Sequence, residues 1–130
     1  IIKIFETEPL AIIFKNKKKY LIDNLSNLIP LESNPQFNDL PSVFGENAEK
    51  QLASFFELLK NNNFPNKKIK NFYYFQIGRW DIQLENNKII KFPHMNTNQA
   101  VKKSIDLLNQ KAFKVYNIID LRVNDKVIVE

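Results

Sequence analysis

Two rhythms of apolar and polar positions run along this chain, and the switches between them predict its elements. Ile2 and Ile4 open an extended segment that stops at Pro9, whose nitrogen cannot donate to a sheet ladder. Leu10 to Phe14 and Tyr20 to Asp23 read as strands around an Asn16-Lys17 hairpin turn. Asn24 to Asn38, rich in Asn, Ser and Pro, reads as irregular, with Pro30 and Pro35 limiting any helix. The period then changes. Ala48, Leu52, Phe55, Phe56 and Leu59 fall on one face of a helix. Gly45, Glu46 and Asn47 stand at its start, and Asn61-Asn62-Asn63 before Pro65 ends it.

Period two returns in residues 69–92. Phe72-Tyr73-Tyr74-Phe75 is a dense aromatic run whose alternation sends half of its rings inward. Trp80, Ile82 and Leu84 alternate with Asp81, Gln83 and Glu85, a half-buried strand that turns at Asn86-Asn87 into a partner, Ile89 to Phe92. A second helix is predicted from Asn96 or Thr97, with Gln99 completing a loose capping box and Val101, Ile105, Leu108 and Ala112 as its apolar face. Ile119, Leu121 and Val123, a turn at Asn124-Asp125-Lys126, then Val127 and Val129 close the chain as a hairpin. The order predicts an α+β fold: a mixed, largely antiparallel β-sheet with two main α-helices packed on it, ending in a C-terminal β-hairpin.

Composition narrows the function. With 130 residues, 44% of them hydrophobic, the chain builds one core without help from metals or disulfides, and it has no cysteine. Its longest apolar run, Leu10 to Phe14, is far short of the ~20 residues of a membrane span. Ile1 to Phe5 already read as a strand, so the chain is expected to begin inside a structure, with any anchor or targeting segment upstream. The net charge of +5 comes from 19 basic and 14 acidic residues. Lysines gather at Lys17 to Lys19, at Lys67, Lys68 and Lys70, and at Lys102-Lys103, none interleaved with Gly and aromatics as in RNA-binding patterns.

Little here supports catalysis. His94 is the one histidine, and Gly45 and Gly78 are the only glycines, too few for a phosphate loop or dinucleotide fingerprint. Carboxylate pairs such as Glu6/Glu8 and Asp120/Asp125 read as surface charge, and the Asn24-Leu25-Ser26 sequon is a short match of low weight. No metal or cofactor site is expected. The rival to a protein-binding role is a basic nucleic-acid-binding α+β domain using Lys67, Lys68 and Lys70, with Phe72 to Phe75 and Trp80 as stacking platforms.

Several motifs in order carry a family resemblance. Gly78-Arg79-Trp80-Asp81-Ile82 running to Lys91-Phe92-Pro93, then Ile119-Asp120-Leu121-Arg122, are similar to the Arg-Trp-Asp-Leu and Asp-Leu-Arg strands of the β domain of the FtsQ/DivIB family of bacterial cell-division proteins. Leu40-Pro41-Ser42-Val43-Phe44-Gly45 resembles the family's approach to its first helix, and Glu8-Pro9-Leu10-Ala11 its join from a preceding POTRA domain. The Arg-Trp-Asp wording resembles the FtsQ branch more than DivIB.

The resemblance implies a non-enzymatic divisome assembly protein without cofactor. Residues 1–8 would be the terminal strand of an upstream POTRA domain and 9–130 the β domain. The domain would lie in the periplasm at the septum, held to the inner membrane by a single span outside this chain. The implied partners are FtsB and FtsL, with a partner segment adding as a strand to the C-terminal edge. The implied partner-binding residues are Ile119, Asp120, Leu121, Arg122, Val123, Val127 and Val129, with Arg122 pairing a partner carboxylate. Val123 stands where the family often has an aromatic residue.

Overall fold

A computed structural model describes residues 7–130. The predicted strand through Ile2 and Ile4 lies outside the described residues. Pro9 starts a strand instead of stopping one, at the first-residue position where a missing N–H costs no ladder bond. That strand, β1 (Pro9–Lys15), forms a hairpin with β2 (Lys18–Asp23), and Asn16 and Lys17 take the left-handed conformation of the tight turn, as read from the sequence.

The stretch expected to be irregular contains a short strand, β3 (Leu28–Pro30), antiparallel to β2, followed by two single 3-10 turns at Leu31–Ser33 and Pro35–Phe37. A second strand escaped the sequence reading: β4 (Ser42–Phe44), which runs parallel to β1 on one side and to β5 (Ile69–Phe75) on the other. Both are three residues long, too short to show a period. β6 (Arg79–Leu84) and β7 (Ile89–Lys91) continue antiparallel from β5. β8 (Ile118–Asp120) joins β7 in parallel, and β9 (Ile128–Val129) returns antiparallel to β8. The result is one nine-stranded open sheet in the order β3-β2-β1-β4-β5-β6-β7-β8-β9.

The two α-helices among the described residues, α1 (Ala48–Asn61) and α2 (Thr97–Leu108), are the crossovers of the parallel pairs β4/β5 and β7/β8. Both pack on one face of the sheet. Leu52, Phe55 and Leu59 from α1 and Val101 and Leu107 from α2 meet Val43, Phe72, Ile82, Ile90 and Ile119 in a single core. Phe55 anchors it, stacked 5.2 Å from Trp80 and edge-on to Phe72 and Phe92. Within the aromatic run, Phe72 and Tyr74 face this core and Tyr73 and Phe75 face away. The chain from Leu31 to Pro41 must pass β2 and β1 to reach β4, and its first turn touches β2. Ile12 and Leu21 are buried outside the main core, and the Ile12 amide donates to the Pro41 carbonyl at the end of this passage.

The second helix differs from its reading in two ways. Asn96 adopts a left-handed conformation without capping through its side chain, so the expected capping box does not form. The deepest face is Val101, Ser104 and Leu107, with Ile105 and Leu108 half-buried and Ala112 beyond the helix, exposed. Ser104 tolerates burial because its hydroxyl donates back to the Val101 carbonyl at 2.6 Å. The helix stops early because its exit is held elsewhere: the buried Lys88 ammonium donates to the carbonyls of Phe113 and Tyr116.

Candidate functional site

The predicted C-terminal hairpin exists but is shorter than its apolar pattern. β8 ends at Asp120, although Leu121 keeps one further ladder bond, to the Lys91 carbonyl. Arg122 to Val127 form a loop, in which Asp125 takes a left-handed conformation, and the chain re-enters the sheet only at Ile128. Ile119 and Leu121 are buried in the core and ladder with the interior neighbour β7, so neither stands at the edge a partner strand would meet. Val127 and Val129 are half-buried against that core, and Val123 stands exposed in the loop, off any strand. Ile128, unremarked in the sequence, is exposed on the face away from the helices.

Among the described residues, β9 is a free edge of the sheet. Ile118 and Glu130 exchange both backbone hydrogen bonds. In an antiparallel pair the next residue along turns its N–H and C=O the other way, so Val129 aims its donor and acceptor outward. At the opposite end of the sheet, Pro30 blunts β3 and the chain leads directly into the 3-10 turns.

Asp120 and Arg122, expected as partner contacts, first contact each other. The Arg122 guanidinium grips the Asp120 carboxylate with Nε–Oδ1 at 2.9 Å and Nη2–Oδ2 at 2.7 Å, and the Arg122 amide adds a third bond at 3.0 Å. These bonds, with the charges of Arg122 and Lys91, hold the Asp120 carboxyl below its usual range against the opposing effect of burial. The same contact raises the Arg122 guanidinium above its ordinary value. Asp120 is nearly buried while the Arg122 side chain is 44% exposed, leaving guanidinium donors for a second carboxylate. A matching pair lies two strands away: Arg79 to Asp81 at 2.5 Å, with Lys91 between the two carboxylates in register.

Beside this edge lies a cleft of about 660 Å³ between the N-terminal turns of α2 and the loop before β9. Leu121, Arg122, Val123 and Val127 form one wall, and Met95, Ala100 and Lys103 the other. Sequence reasoning missed Met95, Ala100 and Lys103, because nothing in the local pattern ties the start of α2 to a loop two dozen residues later; the 64% exposure of Met95 is visible only in three dimensions. His94 also borders the cleft, as do Asp125 and Lys126. Among the described residues no group of His, Cys, Asp and Glu could hold a metal.

Comparison with known proteins decides the family. The profile of the family described as cell division protein FtsQ/DivIB, C-terminal, matches residues 11–122. The chain belongs to the FtsQ/DivIB family. It is 33% identical to cell division protein FtsQ of Rickettsia conorii and 34% identical to that of Rickettsia prowazekii, each over 99% of this chain and 49% of the relative. FtsQ of Agrobacterium fabrum is 25% identical over 99% of this chain and 41% of its own length. The chain thus spans about half the length of the curated relatives it matches. The extracytoplasmic domain of the division protein DivIB from Geobacillus stearothermophilus aligns over 82% of this chain and 99% of its own, with 11% identity and a TM-score of 0.46. The two motifs that suggested the FtsQ/DivIB family fall two strands apart in the sheet, Arg79-Trp80-Asp81 on β6 and Asp120 at the end of β8, with β7 between them.

Proposed function

We propose that this chain is the periplasmic β domain of an FtsQ-type division protein and that it works by binding, without catalysis or cofactor. On this reading residues 9–130 are the β domain and residues 1–8 the last strand of an upstream POTRA domain. A span elsewhere in the protein anchors it in the inner membrane at the septum. Its partners are FtsB and FtsL, and a partner segment adds as a tenth strand to β9.

The observation that carries this reading is the outward-facing backbone of Val129 on an edge strand unpaired among the described residues. Backbone bonds to Val129 would supply affinity, and the half-exposed Arg122 would read an acidic side chain of the added strand. The neighbouring cleft, with Met95, Val123 and Val127 for apolar contact and Lys103 and Lys126 for charge, would take side chains that flank it.

The test is titration of this domain with a peptide from the periplasmic end of the cognate FtsB. Saturable binding is expected, weakened about tenfold or more by Arg122→Glu, a change of roughly 1.4 kcal/mol. Val129→Pro removes the outward donor while leaving the β8 bonds in place, and is expected to abolish binding in a domain that still melts cooperatively. Binding that survives Val129→Pro would move the site off this edge. No binding at all, with the domain folded, would remove FtsB as the partner.

A further inference from the structure

A single row of side chains crosses the sheet on the face away from the helices, and its aromatic half is unexplained by the edge site. Lys19 on β2 opposes Phe14 on β1. Phe14 follows Ile13, which pairs with Val43, and Phe44 follows Val43, so the two phenylalanines stand side by side on β1 and β4. Phe44 opposes Tyr73 on β5, their rings stacked 5.3 Å apart at 16°. Two residues further along the same face, Phe75 lies beneath the Arg79 guanidinium at 4.2 Å, and Ile77 follows in the turn. Beyond Tyr73 the row becomes charged: Asp81, Lys91 and Asp120, then Ile128 at the edge.

The charged half is internally satisfied, but the aromatic half is not covered. Phe14 is 65% exposed, Phe44 47%, Phe75 40% and Ile77 66%. Single exposed apolar residues are ordinary; several large ones side by side on three adjacent strands mark an interaction surface. The rim is basic. Lys17, Lys18 and Lys19 pair with no carboxylate among the described residues, and Asp81 is neutralised by Arg79. The acidic exceptions are Glu46, accepting a bond from the Gln76 amide, and Glu32, which lines a hollow with Lys17 to Lys19. The patch does not protrude as a bilayer-inserting tip would: Tyr73 is tied down by its hydroxyl to the Gln83 side chain at 3.2 Å, and Phe44 lies stacked on it.

We infer that this patch is a second docking surface, for a protein segment that presents aromatic or aliphatic side chains among acidic ones. It lies on β1, β4 and β5, with β6, β7 and β8 between it and the free edge β9, so both surfaces can be occupied at once. The domain then bridges two partners instead of capping one. The inference does not depend on what binds β9.

The probe is an end-blocked hexapeptide of alternating Asp and Phe, titrated calorimetrically into the chain beside a control with Asn for every Asp. The acidic peptide is expected to bind at least about tenfold tighter than the control. Phe44→Ser should lower its affinity about tenfold. The triple change Lys17→Glu, Lys18→Glu, Lys19→Glu should erase the preference for the acidic peptide. Arg122→Glu and Val129→Pro should leave it unchanged. Phe44, Lys17 to Lys19 and Arg122 are exposed, so their variants should melt like the parent, and Val129→Pro, at a half-buried edge position, should still melt cooperatively. Equal binding of both peptides, or loss in Val129→Pro but not in Phe44→Ser, overturns the proposal. So does a dimer that disappears in Phe44→Ser, which would make the occupant a second copy. Phe14-dependent sedimentation with phosphatidylglycerol vesicles, without binding of the acidic peptide, would make it a membrane and overturn the proposal as well.

Discussion

Gly45 has a positive φ of +122°, and a Cβ placed there would sit 2.3 Å from the Tyr74 carbonyl oxygen of the neighbouring strand. In the sequence it is one permissive residue near a helix start; in the structure it is where β4 leaves the sheet hard against β5. Gly45→Ala combines a strained backbone with a clash against rigid main chain, and is expected to cost about 2–4 kcal/mol in urea unfolding. Two buried carboxylates belong to the same scale. Burial alone would raise the Asp23 carboxyl, but bonds from the Thr7 hydroxyl, the Asn27 amide and side chain and the Leu25 amide outweigh it and hold it below its usual value. Asp120 is held low chiefly by Arg122. A carboxyl lowered in the folded state adds stability that is fully present above its unfolded value, about 3.9, and is lost as pH falls through the folded one. Urea midpoints should therefore be flat from pH 7 to about 5 and fall below about 4, and Asp23→Asn should flatten that acid limb. No local pattern announced either role, because the partners of Asp23 and Asp120 are set by turn geometry.

At the scale of elements, periodicity located every segment long enough to show it. The β1–β2 hairpin, α1, and the β5-β6-β7 meander lie where their patterns put them, because a half-buried strand or helix must repeat its apolar positions at 2 or 3.6 residues. β3 and β4 fell below that threshold, and α2 ended a turn early because its exit is decided by Lys88. Lys88 sits in the turn before β7, its ammonium satisfying two carbonyls of the segment that delivers β8 to the sheet. Lys88→Met keeps much of the apolar stem and removes the donors. It is expected to destabilise by about 1–3 kcal/mol. It should also loosen the 111–117 segment and the β8–β9 hairpin first, read as faster amide exchange at Ile118 and Glu130 than at Phe72. Uniform acceleration across the domain would mean that Lys88 supports the whole core and not this connection.

For the whole molecule, topology separates charges that composition adds together. β1, β4 and β5 run parallel, so Lys17 to Lys19, after β1, and Lys67 and Lys68, before β5, lie at opposite ends of the sheet, while Lys102 and Lys103 ride on α2. A net charge of +5 divided in this way makes no continuous stripe for a phosphate backbone. Affinity for duplex DNA is accordingly expected to be weak, and replacing Lys67, Lys68 and Lys70 with Glu should leave peptide binding at β9 unchanged. Tight binding with a steep salt slope, lost in that triple variant, would restore the nucleic-acid reading.

Sequence alone was sufficient for the α+β class, the two helices, the aromatic core and the motifs of the division-protein family, since each is written in local period, composition or a contiguous string of residues. The tertiary structure decided the rest. Strand order placed β9 at a free edge and turned the Val129 backbone outward; it folded Arg122 back onto Asp120; and it set Phe14, Phe44 and Tyr73, dozens of residues apart in the chain, side by side. Those outcomes depend on which strands become neighbours, and that choice is made by the burial of one shared core, to which every element contributes and which no short stretch of sequence contains.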